Sequence, residues 1–393
     1  MNILRVITTM NPEHGGPSQG IRNMVPGLQA IGVHNEVVCF DEPDSAYLSS
    51  SPFTIHAIGR GKGPYSYNAN LAGWLADNFS RFDAVVIHGL WQFNSYGTYR
   101  AWKKYKKKHS VHPKLYVMPH GMLDPYFQKA KERRVKALRN IVFYALFEGK
   151  VINNCNGVLF TCQQELLLAR EPFSPYKPEK ELNIGYGIQP PPTYNAPVMD
   201  EAFYKACPAL KKGTPYLLFL SRVHQKKGVD ILINAYLSVR EKKMLPALVI
   251  AGPGTDTAYG KQLVAQASVS ADIHFAGMLK GNSKWGAFYN SEGFILPSHQ
   301  ENFGIAVVEA MACNKAVLIT DKVNIWREIS DGKGGLVQND DYHGINALLT
   351  EWSGFTTEEK SLYGHNAFAV YEEHFSVGHA SQRLKEVLDK QLK

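Results

Sequence analysis

The sequence predicts an α/β protein built as two Rossmann-like, doubly wound domains facing a central cleft. Three observations predict it. Short apolar runs alternate with longer amphipathic stretches from one end to the other, the pattern of parallel sheets covered by helices on both faces. The alternation breaks at residues 187–192, with Pro190, Pro191 and Pro192 followed by polar residues to about 200, and then restarts. The length, 393 residues, suits two domains at roughly 100–200 residues each. The first domain is therefore expected over 1–190 and the second from 191 onward. A pair of such domains binds its ligands where the C-terminal ends of the strands face each other.

The first domain's strands are expected at residues 3–8, 35–40, 84–88, 115–118 and 158–161, and the second's at 216–220, 247–250, 273–276, 293–296 and 316–319. Each is a short run rich in Val, Ile, Leu or Phe, as a strand buried on both faces requires. Residues 229–239 and 305–313 are amphipathic stretches and are expected to be helices. Residues 1–10 are a short apolar run with Arg5 inside it, and they lack a longer apolar core or a small-residue cleavage site. They are expected to form the first strand and not a signal peptide.

An apolar share of 45% excludes a disordered chain. No run approaches the roughly 18 apolar residues of a membrane span, and 141–147 is about the richest. The five cysteines, Cys39, Cys155, Cys162, Cys207 and Cys313, are odd in number and include no C-x-x-C pair. That speaks against a disulfide framework or structural zinc and for a cytoplasmic location. The net charge of +8 comes from one segment: residues 101–150 hold 13 Lys and Arg against 3 Asp and Glu. The cations are Lys103, Lys104, Lys106, Lys107 and Lys108, then Lys129, Lys131, Arg133, Arg134, Lys136 and Arg139. Two readings stay open. The segment 103–139 is a solvated face with Val135, Leu138 and 141–147 packed in the core, or it meets an anionic membrane, peripherally on the inner face of the cytoplasmic membrane. With no zinc-finger spacing and no RRM-type aromatics, nucleic acid is not an expected partner.

The usual nucleotide signatures are missing. No G-x-G-x-x-G follows the first strand, and the glycines at Gly15 and Gly20 precede Ile21 and Arg22 where a Walker loop needs Lys and Ser or Thr. There is also no D-x-D, so no metal and no other cofactor is expected, and any phosphate must be held by amides and basic side chains. Four features can do this. The turn Asn11 to Ser18, with Gly15, Gly16 and Pro17, lets the backbone approach a ligand ahead of a helix start. Arg222 and Lys227, at the C-terminal edge of the strand 216–220, can converge on a diphosphate; each pairing at ~4 Å is worth on the order of 4 kcal/mol before desolvation. Glu301 and Glu309 bracket a turn and helix start, Asn302, Phe303, Gly304 and Ile305, where carboxylates accept from hydroxyls and amides take phosphate. His120-Gly121 ends the strand 115–118, and His88-Gly89 ends the strand 84–88. A histidine there can donate to negative charge. For His88 a structural or acceptor-side role is preferred, for His120 a functional one.

Gly15-Gly16-Pro17-Ser18, His88-Gly89-Leu90-Trp91, Pro119-His120-Gly121-Met122-Leu123, Arg222 with Lys227-Gly228, Ala251-Gly252-Pro253-Gly254 and the E-x7-E pair Glu301 and Glu309 occur in this order across nearly the whole chain. Taken together they resemble the retaining glycosyltransferases of family 4, which have the GT-B fold. The resemblance implies a nucleotide-sugar donor, with uridine the base and a hexose such as glucose the sugar, held by the second domain, 191–376. It implies a glycan or polyprenyl-diphosphate-linked glycan acceptor on the first, as in polysaccharide biosynthesis. It also implies a last helix, about 377–393, crossing back onto the first domain. Arg222 and Lys227 would neutralise the diphosphate in place of a metal, and Glu301 would hold sugar hydroxyls. The amides of Asn302, Phe303, Gly304 and Ile305 would support sugar and phosphate. Glu309 would bind the ribose, and the backbone at Met278, Leu279 and Lys280 the base. Gly16 would lie against the diphosphate or acceptor, Ser18 and His88 on the acceptor side, and His120 near the reactive carbon. Retention is implied through an oxocarbenium-like state. No far-face nucleophile stands out, which leaves a front-face route assisted by the leaving phosphate. Two other readings remain open: a non-enzymatic GT-B protein that binds sugar nucleotides or scaffolds a polysaccharide complex, and a sugar-nucleotide epimerase.

Overall fold

The structure, a computed structural model, describes residues 1–49, 51–130 and 134–392. Lys131 and Arg133 of the basic segment lie outside the described residues. The chain forms two units: Met1–Ile188 with Val377–Lys393, and Gln189–Ser376.

In the first unit the apolar runs become β1 (Asn2–Ile7), β2 (His34–Cys39), β4 (Ala84–His88), β5 (Lys114–Met118) and β6 (Gly157–Phe160). Two short edge strands that the sequence did not announce, β3 (Ile55–Ala57) and β7 (Glu181–Asn183), complete a sheet of order β3-β2-β1-β4-β5-β6-β7. Every pairing is parallel, with Ile3 opposite both Asn35 and Ala84. Alternate residues feed opposite faces. Leu4, Val6, Val38, Val85 and Ile87 join one buried cluster, while Ile7, Val37 and Cys39 join another with Ile21 and Val25 of the helix Gly16–Ala30.

The second unit repeats the plan with β8 (Tyr216–Leu220), β9 (Ala247–Ala251), β10 (Ile273–Gly277), β11 (Gly293–Leu296), β12 (Val317–Thr320) and β13 (Gly335–Gln338). Their order is β10-β9-β8-β11-β12-β13, again parallel. In each sheet the strand order reverses once, between β1 and β4 and between β8 and β11. Loops leaving the strand C-termini at such a reversal splay apart and leave a crevice. Gly15 to Ser18 and His88-Gly89 follow β1 and β4, and Arg222 with Lys227 and Glu301 follow β8 and β11, while His120 follows β5 and Met278 to Lys280 follow β10.

The helix Val377–Leu392 belongs to the first unit, where it packs on Gly16–Ala30 so closely that a Cβ at Gly27 would meet the Ser381 hydroxyl. All five cysteines are free and buried. Among the described residues no helix is long and apolar enough to cross a membrane.

Of the two readings of the basic segment, the one that packs its aliphatic residues in the core does not hold. On the helix Arg134–Phe143 and the turn Tyr144–Glu148 that extends it, the aliphatic stripe does not pack into the core. Val135, Leu138, Ile141, Val142 and Leu146 are 48–85% exposed, while Ala137, Asn140, Tyr144 and Glu148 are buried. The helix is held by hydrogen bonds and aromatic contacts, Phe143 and Phe147 both meeting Tyr65. Glu148 accepts from the Trp91 N–H at 2.9 Å and the Ser95 hydroxyl at 2.5 Å, and Tyr144 stacks on Phe173. Those contacts fix its rotation and turn the aliphatic residues outward.

Candidate functional site

In the second domain, the loops after β8 and β11 are tied together. The His299 N–H donates to the Lys226 carbonyl at 2.9 Å. Gly228, left-handed at φ +65°, passes so near Pro297 that a Cβ would run into its carbonyl oxygen. This brings buried Lys227 to Glu301, and the two form an ion pair. The Glu301 backbone is pinned in turn: its N–H donates to the Lys322 carbonyl at 2.9 Å, and its carbonyl accepts from the Asn324 N–H at 3.0 Å. Burial alone raises the Glu301 carboxyl pKa, but the charges of Lys227, Lys226 and Arg222 outweigh it and hold the group below the ordinary carboxylate range. Arg222 itself is exposed. Arg222, Lys227 and Glu301 are thus one electrostatic unit.

The chain continues through Asn302, whose side chain lies 3.5 Å from the Asn324 amide, and Phe303, which is buried edge-on to Phe375. Gly304, at φ +78°, then caps the helix Ile305–Ala312, which starts at Ile305. Glu309 within that helix takes an ion pair from Lys284 at 2.8 Å, and Lys284 also lies 4.1 Å over the Trp285 ring. Met278, Leu279 and Lys280 follow β10, the edge strand, where Met278 is exposed, Leu279 is buried and Lys280 caps the helix Gly281–Asn290.

In the first domain, the loops after β1, β4 and β5 gather a second group. Arg5, buried in β1, donates through Nε to the Asn35 side chain at 2.9 Å and through Nη1 to His88 Nε2 at 3.2 Å. His88 Nδ1 lies 2.9 Å from His120 Nε2, and the rings stack at 5.1 Å. Burial, then the neighbouring charges, lowers the pKa of both; His120 is pushed down to about 3 and His88 falls well below its usual range. Both rings are therefore neutral at pH 7. His120 is left-handed at φ +53°, and its loop is anchored by Glu165, which accepts from the Gly121 N–H at 2.6 Å and from the Thr161 N–H and hydroxyl. The Ser18 hydroxyl is spent on its own turn, donating to the carbonyls of Gly15 at 2.9 Å and Asn11 at 3.3 Å. The Gly16 carbonyl accepts from Tyr186 at 2.9 Å. Beside these residues lies an open hollow of about 550 Å³, lined by Thr8, Ser18, Asp41, Arg60, His88 and Gln92 among others.

Sequence reasoning named Glu301, Glu309, Lys227, His88 and His120 but missed Lys284, Arg5 and Glu165. Arg5 did leave a signal, a lone cation inside an apolar strand run. Among the described residues no group of three or more His, Cys, Asp or Glu is poised to hold a metal ion.

Residues 200–355 match the family described as glycosyl transferases group 1. The chain is 26% identical over 154 residues to a D-inositol 3-phosphate glycosyltransferase of Arthrobacter, covering 37% of each protein. It is 26% identical over 172 residues to O-antigen chain mannosyltransferase C of Escherichia coli, covering 42% of this chain and 44% of that one. It therefore aligns with less than half the length of these curated relatives. Solved structures match over the whole length. Anabaena HepE, crystallised with UDP and glucose, superposes with a TM-score of 0.71 at 16% identity, covering 99% of this chain and all of that one. Sucrose-phosphate synthase from Thermosynechococcus elongatus gives 0.71 at 16%, covering 99% and 98%. Residues 200–355 are thus similar to a glycosyl transferases group 1 domain, and the two parallel-sheet domains share the GT-B fold of these neighbours.

Proposed function

We propose that this protein is a retaining hexosyltransferase that uses a nucleotide-sugar donor, a UDP-hexose such as UDP-glucose, and needs no metal. The observation that carries the reading is the Lys227–Glu301 pair with Arg222, set at the strand reversal of the domain that matches the glycosyl transferases group 1 family. HepE, which shares the fold, was solved with UDP-glucose. In the proposed chemistry Arg222 and Lys227 stabilise the departing diphosphate, which carries the growing charge as the sugar turns oxocarbenium-like. Positive groups fixed in advance are the main lever for such a step. Glu301 orients Lys227 and accepts from sugar hydroxyls. Glu309 accepts from the ribose once Lys284 yields, and Lys284 then stays beside the nucleotide as a further cation.

The acceptor is proposed to be a glycan or a polyprenyl-diphosphate-linked glycan, which a peripheral enzyme meets at the inner face of the cytoplasmic membrane. The outward stripe Val135, Leu138, Ile141, Val142 and Leu146, flanked by the exposed cations Arg134, Lys136 and Arg139, supports that reading.

Calorimetry with UDP and UDP-glucose, and transfer assays in excess chelator, test the donor reading. Glu309→Ala should weaken UDP binding about tenfold. Glu301→Ala should leave UDP affinity within a few-fold and cost turnover by about 10²-fold, the scale of one lost electrostatic contact in a transition state. Activity lost in chelator and restored by manganese would overturn the Arg222–Lys227 assignment. A donor consumed without an acceptor, giving an isomerised sugar nucleotide, would make the protein an epimerase.

A further inference from the structure

Arg5 is an expensive residue to keep where it is. It is 3% exposed and has no carboxylate partner among the described residues, and its Nη2 is buried without any hydrogen bond. An unpaired buried charge of this kind is normally replaced by an apolar side chain. What Arg5 touches explains its presence. A guanidinium has five donors and no acceptor, so His88 Nε2, 3.2 Å from Nη1, can only be accepting. A neutral imidazole carries one N–H, and in His88 it must then be on Nδ1. That N–H points at His120 Nε2, 2.9 Å away, which accepts in its turn. The remaining proton of His120 is thereby placed on Nδ1. This nitrogen makes no hydrogen bond within the described residues.

We infer that Arg5 is a positioning residue which, through His88, fixes His120 as the Nδ1–H tautomer, so that His120 acts as a neutral hydrogen-bond donor to a ligand oxygen and not as a base at that nitrogen. The relay runs across three neighbouring elements, β1, the end of β4 and the turn after β5, and each nitrogen in it has one permitted role. Burial supports it by keeping both rings uncharged at neutral pH, where an imidazolium would donate from both nitrogens and erase the distinction. Glu165 supports it as well, because its bond to the Gly121 N–H holds the His120 turn in place. The role of His120 toward a ligand rests on the proposed sugar-transfer function. The tautomer does not, and it is measurable in the absence of any ligand.

The test is long-range ¹H–¹⁵N correlation on the full chain labelled at histidine, at pH 7, with His88→Gln and His120→Gln supplying the assignments. The wild type should show both rings as single Nδ1–H tautomers. Arg5→Met removes the donor that dictates the order, and both rings should lose their single tautomer. Arg5→Lys, still a donor without an acceptor, should restore it. The thermal midpoint of the first unit in each variant reports whether its fold is intact. His120 found as the Nε2–H tautomer in the wild type, or tautomers unchanged in Arg5→Met, overturns the relay. If the tautomers respond as described but transfer is absent from the wild type, the relay stands and the transferase reading falls.

Discussion

At the scale of single residues, the first domain holds titratable groups that burial pushes in opposite directions. Glu148 is fully buried, and burial raises its carboxyl to about 7 despite hydrogen bonds from Ser95 and Trp91. Between pH 4.5 and 7 the folded state then binds the proton that the unfolded state has lost, so its stabilising contribution falls as pH rises through that window. Above pH 7 the buried carboxylate costs on the order of 3 kcal/mol, at 1.36 kcal/mol per pKa unit. His88 and His120 work in the other sense. Their lowered pKa values mean that the unfolded chain binds more protons below pH 6.5, so stability falls as the medium is acidified. Glu148→Gln keeps the shape and both hydrogen bonds, with its oxygen accepting from the Trp91 N–H and its amide donating to Ser95. Denaturant unfolding should find this variant near wild type at pH 5 and more stable by about 3 kcal/mol at pH 8.5. An equal effect at both pH values would mean that the carboxyl is not held neutral by burial.

At the scale of elements, the helix Arg134–Phe143 makes the sharpest claim, because its exposed side is the aliphatic one. Val135, Leu138, Val142 and Leu146 fall on one stripe at helical spacing, and Ala137, Asn140, Tyr144 and Glu148 on the buried one. Lys103, Lys104 and Lys106 belong to a different setting. They end the helix Phe93–Lys106, where cations suit the negative helix terminus and Lys106 covers the Trp102 ring at 4.9 Å. Insertion of the stripe into an anionic bilayer gains from both terms, up to ~1.5–3 kcal/mol per well-buried aliphatic side chain and ~1 kcal/mol per nearby cation. Wild-type protein should therefore sediment with anionic vesicles at low salt and hardly at all with neutral ones. The triple change Leu138→Ser, Ile141→Ser and Val142→Ser should abolish sedimentation with less than about 0.5 kcal/mol lost per exposed site. Wild-type protein remaining in the supernatant with anionic vesicles would end the membrane reading. The sequence left this orientation undecided, since an apolar stripe ordinarily faces the core. Central strands were legible for the opposite reason. β4, β8 and β11 are buried on both faces and so are written as continuous apolar runs, whereas half-buried β3 and β7 carry no such run. The candidate site was legible where motif residues follow a strand, as Lys227 and Glu301 do. It was not legible where meaning depends on a distant partner: Lys284 is 25 residues from Glu309, and Arg5 is 83 from His88.

At the scale of the whole molecule, chain order and structural order part company at the C-terminus. Residues 377–393 belong with a unit that otherwise ended at Ile188. The helix Val377–Leu392 joins that unit through a stripe of Ala380, Ser381, Leu384 and Leu388, all at most 2% exposed. Arg383 adds a bond to the Asn183 carbonyl at 3.1 Å, at the end of edge strand β7. The second domain's stability should therefore be insensitive to this helix and the first domain's strongly dependent on it. Leu388→Ala leaves a cavity in that interface and should cost the first unit about 2–5 kcal/mol, a large share of the roughly 5–15 kcal/mol that holds a domain folded. Ligand identifies which transition is which. Under the proposed function, UDP at 100 times its dissociation constant raises the unit that binds it by ~2.7 kcal/mol and leaves the other alone. In Leu388→Ala the UDP-insensitive transition should fall by several degrees, while the UDP-sensitive one and the UDP affinity stay at wild-type values. If the UDP-sensitive transition fell by the same amount, the terminal helix would be stabilising both units together, and the two domains would have to be treated as one cooperative structure.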